Sequence, residues 1–141
     1  MINMVVIKRI IFVPILIMIL SISCVMEPPT TRYSFKIVNR TNSNLLIDFK
    51  TVKYGEQGNG TLMPSKIFEK SIIQLGCFKD HGDTLLQSFF SELNIRLINA
   101  NINVNPYDRA KWVDSLDLKG SGNCKGGIVY YTLTVFDKDL K

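Results

Sequence analysis

Residues 128–141, IVYYTLTVFDKDLK, show the clearest strand pattern in the chain. Tyr131, Leu133 and Val135 alternate with two threonines, and most of the positions are β-branched or aromatic. Side chains of a strand point to opposite faces with a period of two, so this pattern predicts a strand with one buried face. A closing strand of this kind favours an all-β domain.

The same period of two recurs in four stretches upstream of this strand. They are YSFKIVN at residues 33–39, NLLIDFKTVKY at residues 44–54, KIFEKSIIQLGCF at residues 66–78 and ELNIRLINANINVN at residues 92–105. Polar turn formers separate them, and almost no stretch keeps a helical period. We therefore expect six or seven strands in an antiparallel β-sandwich, for which an immunoglobulin-like topology is plausible.

Other stretches lack this alternation. TLLQSFFSEL at residues 84–93 fits neither period and predicts a short helix or an irregular loop. The glycine-containing residues 55–60 and 120–127 predict flexible loops, and one helical turn is expected near residues 108–112.

The N-terminal segment is strongly apolar and differs from the rest of the chain. A basic pair, Lys8 and Arg9, precedes an almost purely aliphatic run at residues 10–20 and a short SIS segment, an order typical of a secretory signal. A bilayer-spanning helix needs roughly 20 apolar residues. The run is shorter than this and contains Pro14, so a cleaved signal is favoured over a transmembrane anchor.

Cys24 stands where a bacterial lipoprotein signal would end. Such a signal usually has Leu three residues before the acylated cysteine and small residues just before it. Ser23 fits, whereas Ser21 replaces the usual Leu and Leu20 lies one residue early. We expect lipidation of Cys24, with an ordinary signal peptide cleaved near this residue as the alternative.

The expected organisation has one folded domain. Its parts are a lipoprotein signal peptide at residues 1–23, a lipidated cysteine and tether at residues 24–32 and a β-sandwich domain at residues 33–141. Removal of the signal leaves about 118 residues, a usual size for a single domain. The 17 basic residues become 15 against 12 acidic ones, so the formal charge falls from +5 to +3. No basic cluster remains in the sequence, and nucleic acid is not expected as a partner.

Cys77 and Cys124 are the two remaining cysteines. In an exported protein this even pair predicts a disulfide, and two unpaired buried thiols are the alternative. A bridge would close a loop of about 47 residues, worth about 4 kcal/mol in the chain-entropy model.

A row of asparagines followed by two aromatic residues is the candidate ligand face. Its members are Asn99, Asn101, Asn103, Asn105, Tyr107 and Trp112. Amide and aromatic groups are those that a sugar-binding face uses, so the row predicts a glycan or protein ligand. A solvent-facing strand rich in asparagine is the alternative.

The sequence holds no catalytic signature. His81 is the only histidine, which excludes a metal site with two histidine ligands. Asp80, Asp83 and Cys77 lie near it, but KDHGD is typical of a solvated turn. Serine nucleophile elbows, phosphate loops and paired metal motifs are absent from the sequence. We therefore expect no catalytic residues, no metal and no cofactor, and a protein that is not an enzyme.

The chain resembles the small uncharacterised lipoproteins of Bacteroidetes. The resemblance rests on a lipobox at Cys24, a Pro/Thr tether, an opening YSFKIVN strand, a late NPYDRAKW segment and a closing YYTLTVFDKDL strand. It implies an envelope location and a β-sandwich fold. Such proteins are O-glycosylated at Asp followed by Ser or Thr and an apolar residue, which makes Thr84 and Ser115 candidate acceptors. Acidic residues after the acylated cysteine sort them to the cell surface, and Glu27 stands alone here, so the periplasmic side is an equal expectation.

These features predict a lipid-anchored protein of the bacterial cell envelope, on the periplasmic side or the cell surface, that acts as a binding or structural module. The alternative is a periplasmic inhibitor or immunity-type protein that neutralises a toxin or an enzyme. The expected partners are the membrane, through the N-terminal lipid, and a glycan or a protein.

Overall fold

The computed structural model describes residues 29–98, 100, 102–120 and 124–140. This part of the chain forms eight strands and one short α-helix. The strands are β1 (Thr30–Arg40), β2 (Leu45–Thr51), β3 (Gln57–Leu62), β4 (Ile67–Leu75), β5 (Phe90–Leu97), β6 (Asn103–Val104), β7 (Trp112–Lys119) and β8 (Gly126–Phe136), and the helix is α1 (Leu85–Phe89). Short 3-10 turns lie at Gly82–Thr84, Arg109–Lys111 and Asp137–Asp139. Among these residues, no helix is long and apolar enough to cross a membrane.

The strands form two four-stranded sheets that pack as a sandwich. The first sheet has the order β4-β1-β8-β7 and the second the order β3-β2-β5-β6. The predicted sandwich is confirmed, but an all-antiparallel arrangement is wrong because β1 and β8 pair in parallel. These strands open and close the domain, so no hairpin forces them to run in opposite directions. The order also differs from the immunoglobulin fold, because β1 lies inside its sheet and not at an edge.

The predicted apolar faces supply the core. In β1, Tyr33, Phe35 and Ile37 are at most 2% exposed. The parallel register places Phe35 beside Tyr131 and Ile37 beside Leu133, so the apolar faces of the two central strands coincide. Burial of such side chains contributes about 1.5–3 kcal/mol each and is the main stabilising term of the fold.

Phe35 lies at the centre of an aromatic cluster that joins the two sheets. Its ring centroid is 4.9 Å from that of Phe90, 5.2 Å from Phe89, 5.4 Å from Tyr131 and 6.0 Å from Trp112. Three of these pairs are tilted or edge-to-face, which is the arrangement that aromatic quadrupoles favour. Helix α1 therefore contributes Phe89 to the core. This helix is one of the two outcomes predicted for residues 84–93.

Asn39 organises the turn that carries the chain from the first sheet to the second. Its buried side-chain amide donates to the carbonyls of Ser43 and Leu62, each at 2.8 Å. Its Oδ1 accepts from the backbone nitrogen and the hydroxyl of Thr41, at 2.9 and 2.8 Å. The buried amide is thus fully satisfied and holds the β1–β2 turn against the end of β3.

A disulfide joins Cys77 and Cys124, as predicted, and their Cα atoms are 4.8 Å apart. The backbone nitrogen of Phe78 also donates to the carbonyl of Lys125 at 2.6 Å. The bridge therefore ties the segment after β4 to the segment before β8, the two neighbours of β1. A disulfide of this kind indicates an oxidising, extracytoplasmic location.

Two strands, β3 and β7, form where the sequence pattern predicts none. Residues 55–60 contain the first part of β3. In the register of β2 and β3, the ring of Phe49 lies over Gly58 and fills the space that a side chain there would occupy. Edge strand β7 is exposed on both faces apart from Trp112 and Leu118, so it lacks a clear apolar alternation. In addition, β1 begins at Thr30, inside the stretch expected to be a tether.

Candidate functional site

The outer face of the second sheet carries a shallow polar groove of about 570 Å³. The residues that define this polar groove are Asp48, Phe49, Lys50, Gln57, Gly58, Asn59, Glu92, Asn94 and Arg96. Strand alternation creates it: Leu45 and Ile47 of β2 point into the core, so Asp48 and Lys50 point outward. Neighbouring strands β3 and β5 present polar side chains at the matching positions.

The register of the sheet arranges these side chains in rows. Asp48 of β2 lies between Asn59 of β3 and Asn94 of β5. A second row has Lys50 at its centre, flanked by one amide and one carboxylate. Side chains opposite each other on neighbouring strands have Cβ atoms about 5 Å apart. Three strands therefore contribute to a single contiguous surface.

The charges of the polar groove balance. Arg96 Nη2 donates to Asp48 Oδ2 at 3.1 Å, and Asn94 Nδ2 donates to Glu92 Oε1 at 2.9 Å. With Lys50, the groove contains two acidic and two basic residues, so its formal charge is zero. Surface ion pairs of this kind contribute about 0–1 kcal/mol to stability, so their main effect is to orient the side chains.

Exposed amides complete the donor and acceptor set. Gln57 and Asn59 on edge strand β3 are exposed, and each amide carries a donor NH2 and an acceptor carbonyl. A sugar hydroxyl likewise both donates and accepts, whereas a strongly charged ligand would need an excess of opposite charge. The geometry therefore suits an uncharged ligand with several hydroxyl groups.

The predicted asparagine row meets the polar groove at one residue. Asn103 of β6 is exposed and pairs with Arg96 of β5, so it extends the outer face of the second sheet. Asn105 is also exposed, but its Oδ1 accepts from the backbone nitrogen of Tyr107 at 3.0 Å and shapes a turn. Asn99 and Asn101 lie outside the described residues.

The two aromatic members of the predicted ligand face point into the structure. Trp112 is 3% exposed, and its indole nitrogen donates to the carbonyl of Pro106 at 2.7 Å. The half-buried Tyr107 holds β5, because its hydroxyl accepts from the backbone nitrogen of Leu93 at 2.8 Å. In this structure Trp112 is therefore a core residue, and its ring is not available for stacking on a ligand.

His81 lies in the loop after β4, and its ring is half-buried. The ring centroid is 5.8 Å from that of Tyr33 and 5.0 Å from that of Phe89, and both contacts are edge-to-face. Its Nε2 is buried and has no hydrogen-bond partner among the described residues. Burial lowers the pKa of His81, and the nearby charge of Asp80 opposes this effect. The sequence indicates the polar loop but not the aromatic contacts of His81, because these depend on the packing of β1 and α1.

Two core tyrosines also have perturbed pKa values. Burial raises the pKa of Tyr131 to about 12, although the guanidinium of Arg109 favours the charged form. Burial likewise raises the pKa of Tyr33, whose hydroxyl accepts from the backbone nitrogen of Lys79 at 3.1 Å. Both phenols are therefore neutral at physiological pH. Within the described part of the chain, no three His, Cys, Asp or Glu side chains are grouped as metal ligands would be.

The two candidate glycosylation residues differ in their surroundings. Thr84 is exposed but donates to the carbonyl of His81 at 2.9 Å, and the following Leu85 is 1% exposed. Ser115 is exposed on edge strand β7, and the following Leu116 is 53% exposed. Modification of either residue stays a prediction, and of the two only Ser115 is followed by an exposed apolar residue. Cys24, the predicted lipidation residue, lies outside the described residues.

The fold and site define a small two-sheet β domain with one disulfide and a polar groove on its second sheet. Comparisons with protein families, curated proteins and solved structures found no match to this chain.

Proposed function

We propose that this chain is a lipid-anchored lipoprotein of the bacterial cell envelope, of the Bacteroidetes type, whose domain binds a glycan in the polar groove. The observation that carries the binding proposal is the groove itself: amides and balanced charges from three strands form one open surface. Hydrogen bonds to such groups contribute about 0.5–1.5 kcal/mol each, so several are needed for measurable affinity.

The anchoring proposal rests on the sequence around Cys24, and the disulfide agrees with it because such bridges indicate an oxidising, extracytoplasmic location. Its test is the intact mass of protein extracted from membranes, measured with and without reductant. We expect loss of residues 1–23, an added acyl mass and a two-hydrogen difference on reduction. A soluble product with a free, unacylated Cys24 would contradict the anchoring proposal.

The binding proposal predicts a specific loss of affinity. Asn59→Ala combined with Asn94→Ala removes amides from both sides of Asp48, and we expect binding of neutral envelope oligosaccharides to weaken about tenfold or more. Gln87→Ala, which removes an exposed amide from α1, is the matched control and should leave affinity unchanged. Screening on immobilised glycans followed by calorimetry measures both effects. Equal affinity of the double variant and the control would refute the groove as the binding site.

A protein ligand, as the inhibitor alternative requires, is favoured by edge strand β7. Val113 is 72% exposed and Leu116 is 53% exposed on this strand, and among the described strands β7 pairs with β8 alone, on one of its two edges. An extended segment of a partner protein can add to the other edge. We expect Leu116→Lys, but not the control Val52→Lys, to abolish co-purification of a specific envelope protein. Retention of that protein by Leu116→Lys would exclude β7 as its binding edge.

A further inference from the structure

The outer face of the first sheet carries an amphipathic patch near the beginning of β1. The amphipathic patch comprises Arg32, Tyr54, Ile73, Leu75 and Ile128. Leu75 is 74% exposed, Tyr54 62% and Ile73 47%. Ile73 and Ile128 flank Arg32 on neighbouring strands and border a shallow depression of about 280 Å³. The tyrosine reaches this surface from the β2–β3 turn, and its hydroxyl donates to the carbonyl of Ile73 at 3.4 Å.

Such a surface is unusual for the solvent face of a sheet, where polar side chains normally alternate with buried apolar ones. The exposed aliphatic residues of β4 do not contribute to the core. The core side chain of this strand is that of Ile72, which is 4% exposed. Clustered exposed apolar side chains rimmed by polar ones indicate a contact surface.

Basic residues surround the amphipathic patch. Arg32 lies at its centre, and Lys53 has its Nζ 5.2 Å from the ring centroid of the patch tyrosine. Lys119 and Lys125 lie at the same end of the sheet, on β7 and directly before β8, and both are exposed. Asp117 is their acidic neighbour on β7. The excess positive charge complements an anionic surface and opposes contact with the same patch on a second copy.

The chain path places this surface close to the proposed anchor. The carbonyl of Pro29 accepts from the backbone nitrogen of Gly76 at 2.7 Å, and Thr31 Oγ1 donates to the carbonyl of Gly76 at 3.1 Å. Pro29 is thus fixed beside the end of β4. Pro29 stands five positions after Cys24 in the sequence, so their Cα atoms are at most about 18 Å apart in any conformation.

We propose that the amphipathic patch rests on an anionic lipid bilayer, with its aliphatic and tyrosine side chains among the headgroups and its basic residues paired with lipid phosphates. This inference rests on the proposed acylation of Cys24, which keeps the patch within reach of the bilayer. Tyrosine, arginine and lysine favour this interfacial depth because each combines an apolar part with a polar end. Basic side chains close to an anionic leaflet are attracted by its negative surface potential, and this attraction weakens as salt is added.

The test uses two tryptophan reporters in the full-length, membrane-extracted protein. Leu75→Trp places the reporter in the amphipathic patch. Val113→Trp is the matched control, because Val113 is 72% exposed on the same face of the same sheet but lies about 20 Å further along the strands. Each variant is reconstituted into vesicles of equal parts phosphatidylethanolamine and phosphatidylglycerol, with and without brominated acyl chains. Bromine quenches indole fluorescence only at close approach, and the buried Trp112 supplies the same background in both variants.

We expect the brominated lipid to reduce the emission of Leu75→Trp and to leave that of Val113→Trp unchanged. Adding Arg32→Gln to the Leu75→Trp variant should weaken the quenching, and higher salt should do the same. Circular dichroism of each variant checks that the fold is retained, and both substituted side chains are exposed.

The outcomes separate this inference from the proposed function. Acylated protein whose two reporters are quenched equally, or not at all, overturns the inference and leaves the anchoring proposal intact. Concentration-dependent dimerisation that Leu75→Ser abolishes would assign the patch to a second copy and would also overturn it. Absence of acyl mass overturns the anchoring proposal, and the inference fails with it.

Discussion

Removal of the disulfide is expected to cost a large part of the stability of the domain. The perturbation is the double substitution Cys77→Ala and Cys124→Ala, which leaves no unpaired thiol at either position. The bridge closes a loop with a sequence separation of 47 residues and holds both strands that flank β1. Without it, the unfolded chain gains conformational freedom that the folded chain does not.

The chain-entropy relation gives the magnitude. For a loop of this length, the entropy lost by the unfolded chain on cross-linking corresponds to about 4 kcal/mol at 25 °C. A single domain typically has a free energy of unfolding of about 5–15 kcal/mol. The variant is therefore expected to remain folded only marginally, with its midpoint of unfolding at much lower denaturant concentration.

Urea unfolding followed by circular dichroism measures this change. Wild type should be compared under oxidising and reducing conditions with the double variant under both. The reduced wild type and the double variant should lose similar stability, and reductant should not affect the variant. A loss of less than about 1 kcal/mol would refute the entropic reasoning, because it would mean that the loop is already restricted in the unfolded chain.

Three further predictions concern individual residues. Gly127→Ala should destabilise the domain by more than about 3 kcal/mol in urea unfolding, because φ is +142° there and a Cβ would overlap the carbonyl of Asp117. Gly60→Ala is the control: a Cβ at Gly60 would have no atom within 4 Å, so this change should be neutral or stabilising. Asn39→Ala should cost about 3 kcal/mol in the same assay by leaving buried backbone groups unpaired, and a wild-type midpoint would refute this. His81 has a lowered pKa in the folded state, so as pH falls below 6.5 the unfolded chain binds a proton before the folded chain does, and the free energy of unfolding should decrease. In a pH series of unfolding measurements, His81→Phe should remove that decrease.

The sequence predicted the parts of the fold that depend on local alternation. The inward faces of β1, β2, β5 and β8 all carry the apolar residues expected, for example Tyr33 and Leu133. Strands β3 and β7 were missed for physical reasons. One uses the ring of Phe49 in place of a glycine side chain, and the other lies at an edge where both faces meet water. The parallel pairing of β1 with β8 depends on contacts between the two ends of the domain, which no local pattern records.

The candidate site was predicted only in part, for a related reason. The asparagine row pointed to Asn103 on the second sheet, but the polar groove is built from Asp48, Asn59 and Asn94 on three different strands. None of these residues stands out in its own stretch of sequence. For Trp112, the sequence pattern suggested an exposed stacking platform, because the residue stands beside polar ones. Its side chain is instead buried in the core.

The parallel pairing of β1 and β8 has a mechanical consequence. The register runs from Thr31 beside Gly127 to Arg40 beside Phe136, so the start of the first strand and the end of the last lie at opposite ends of the sheet. A pulling force applied between Thr30 and Phe136 therefore acts along the strands and loads their hydrogen bonds in shear, all at once. In a hairpin pulled at its open end, the bonds would break one after another. This arrangement is expected to resist tension when the domain is held at one end and drawn away at the other.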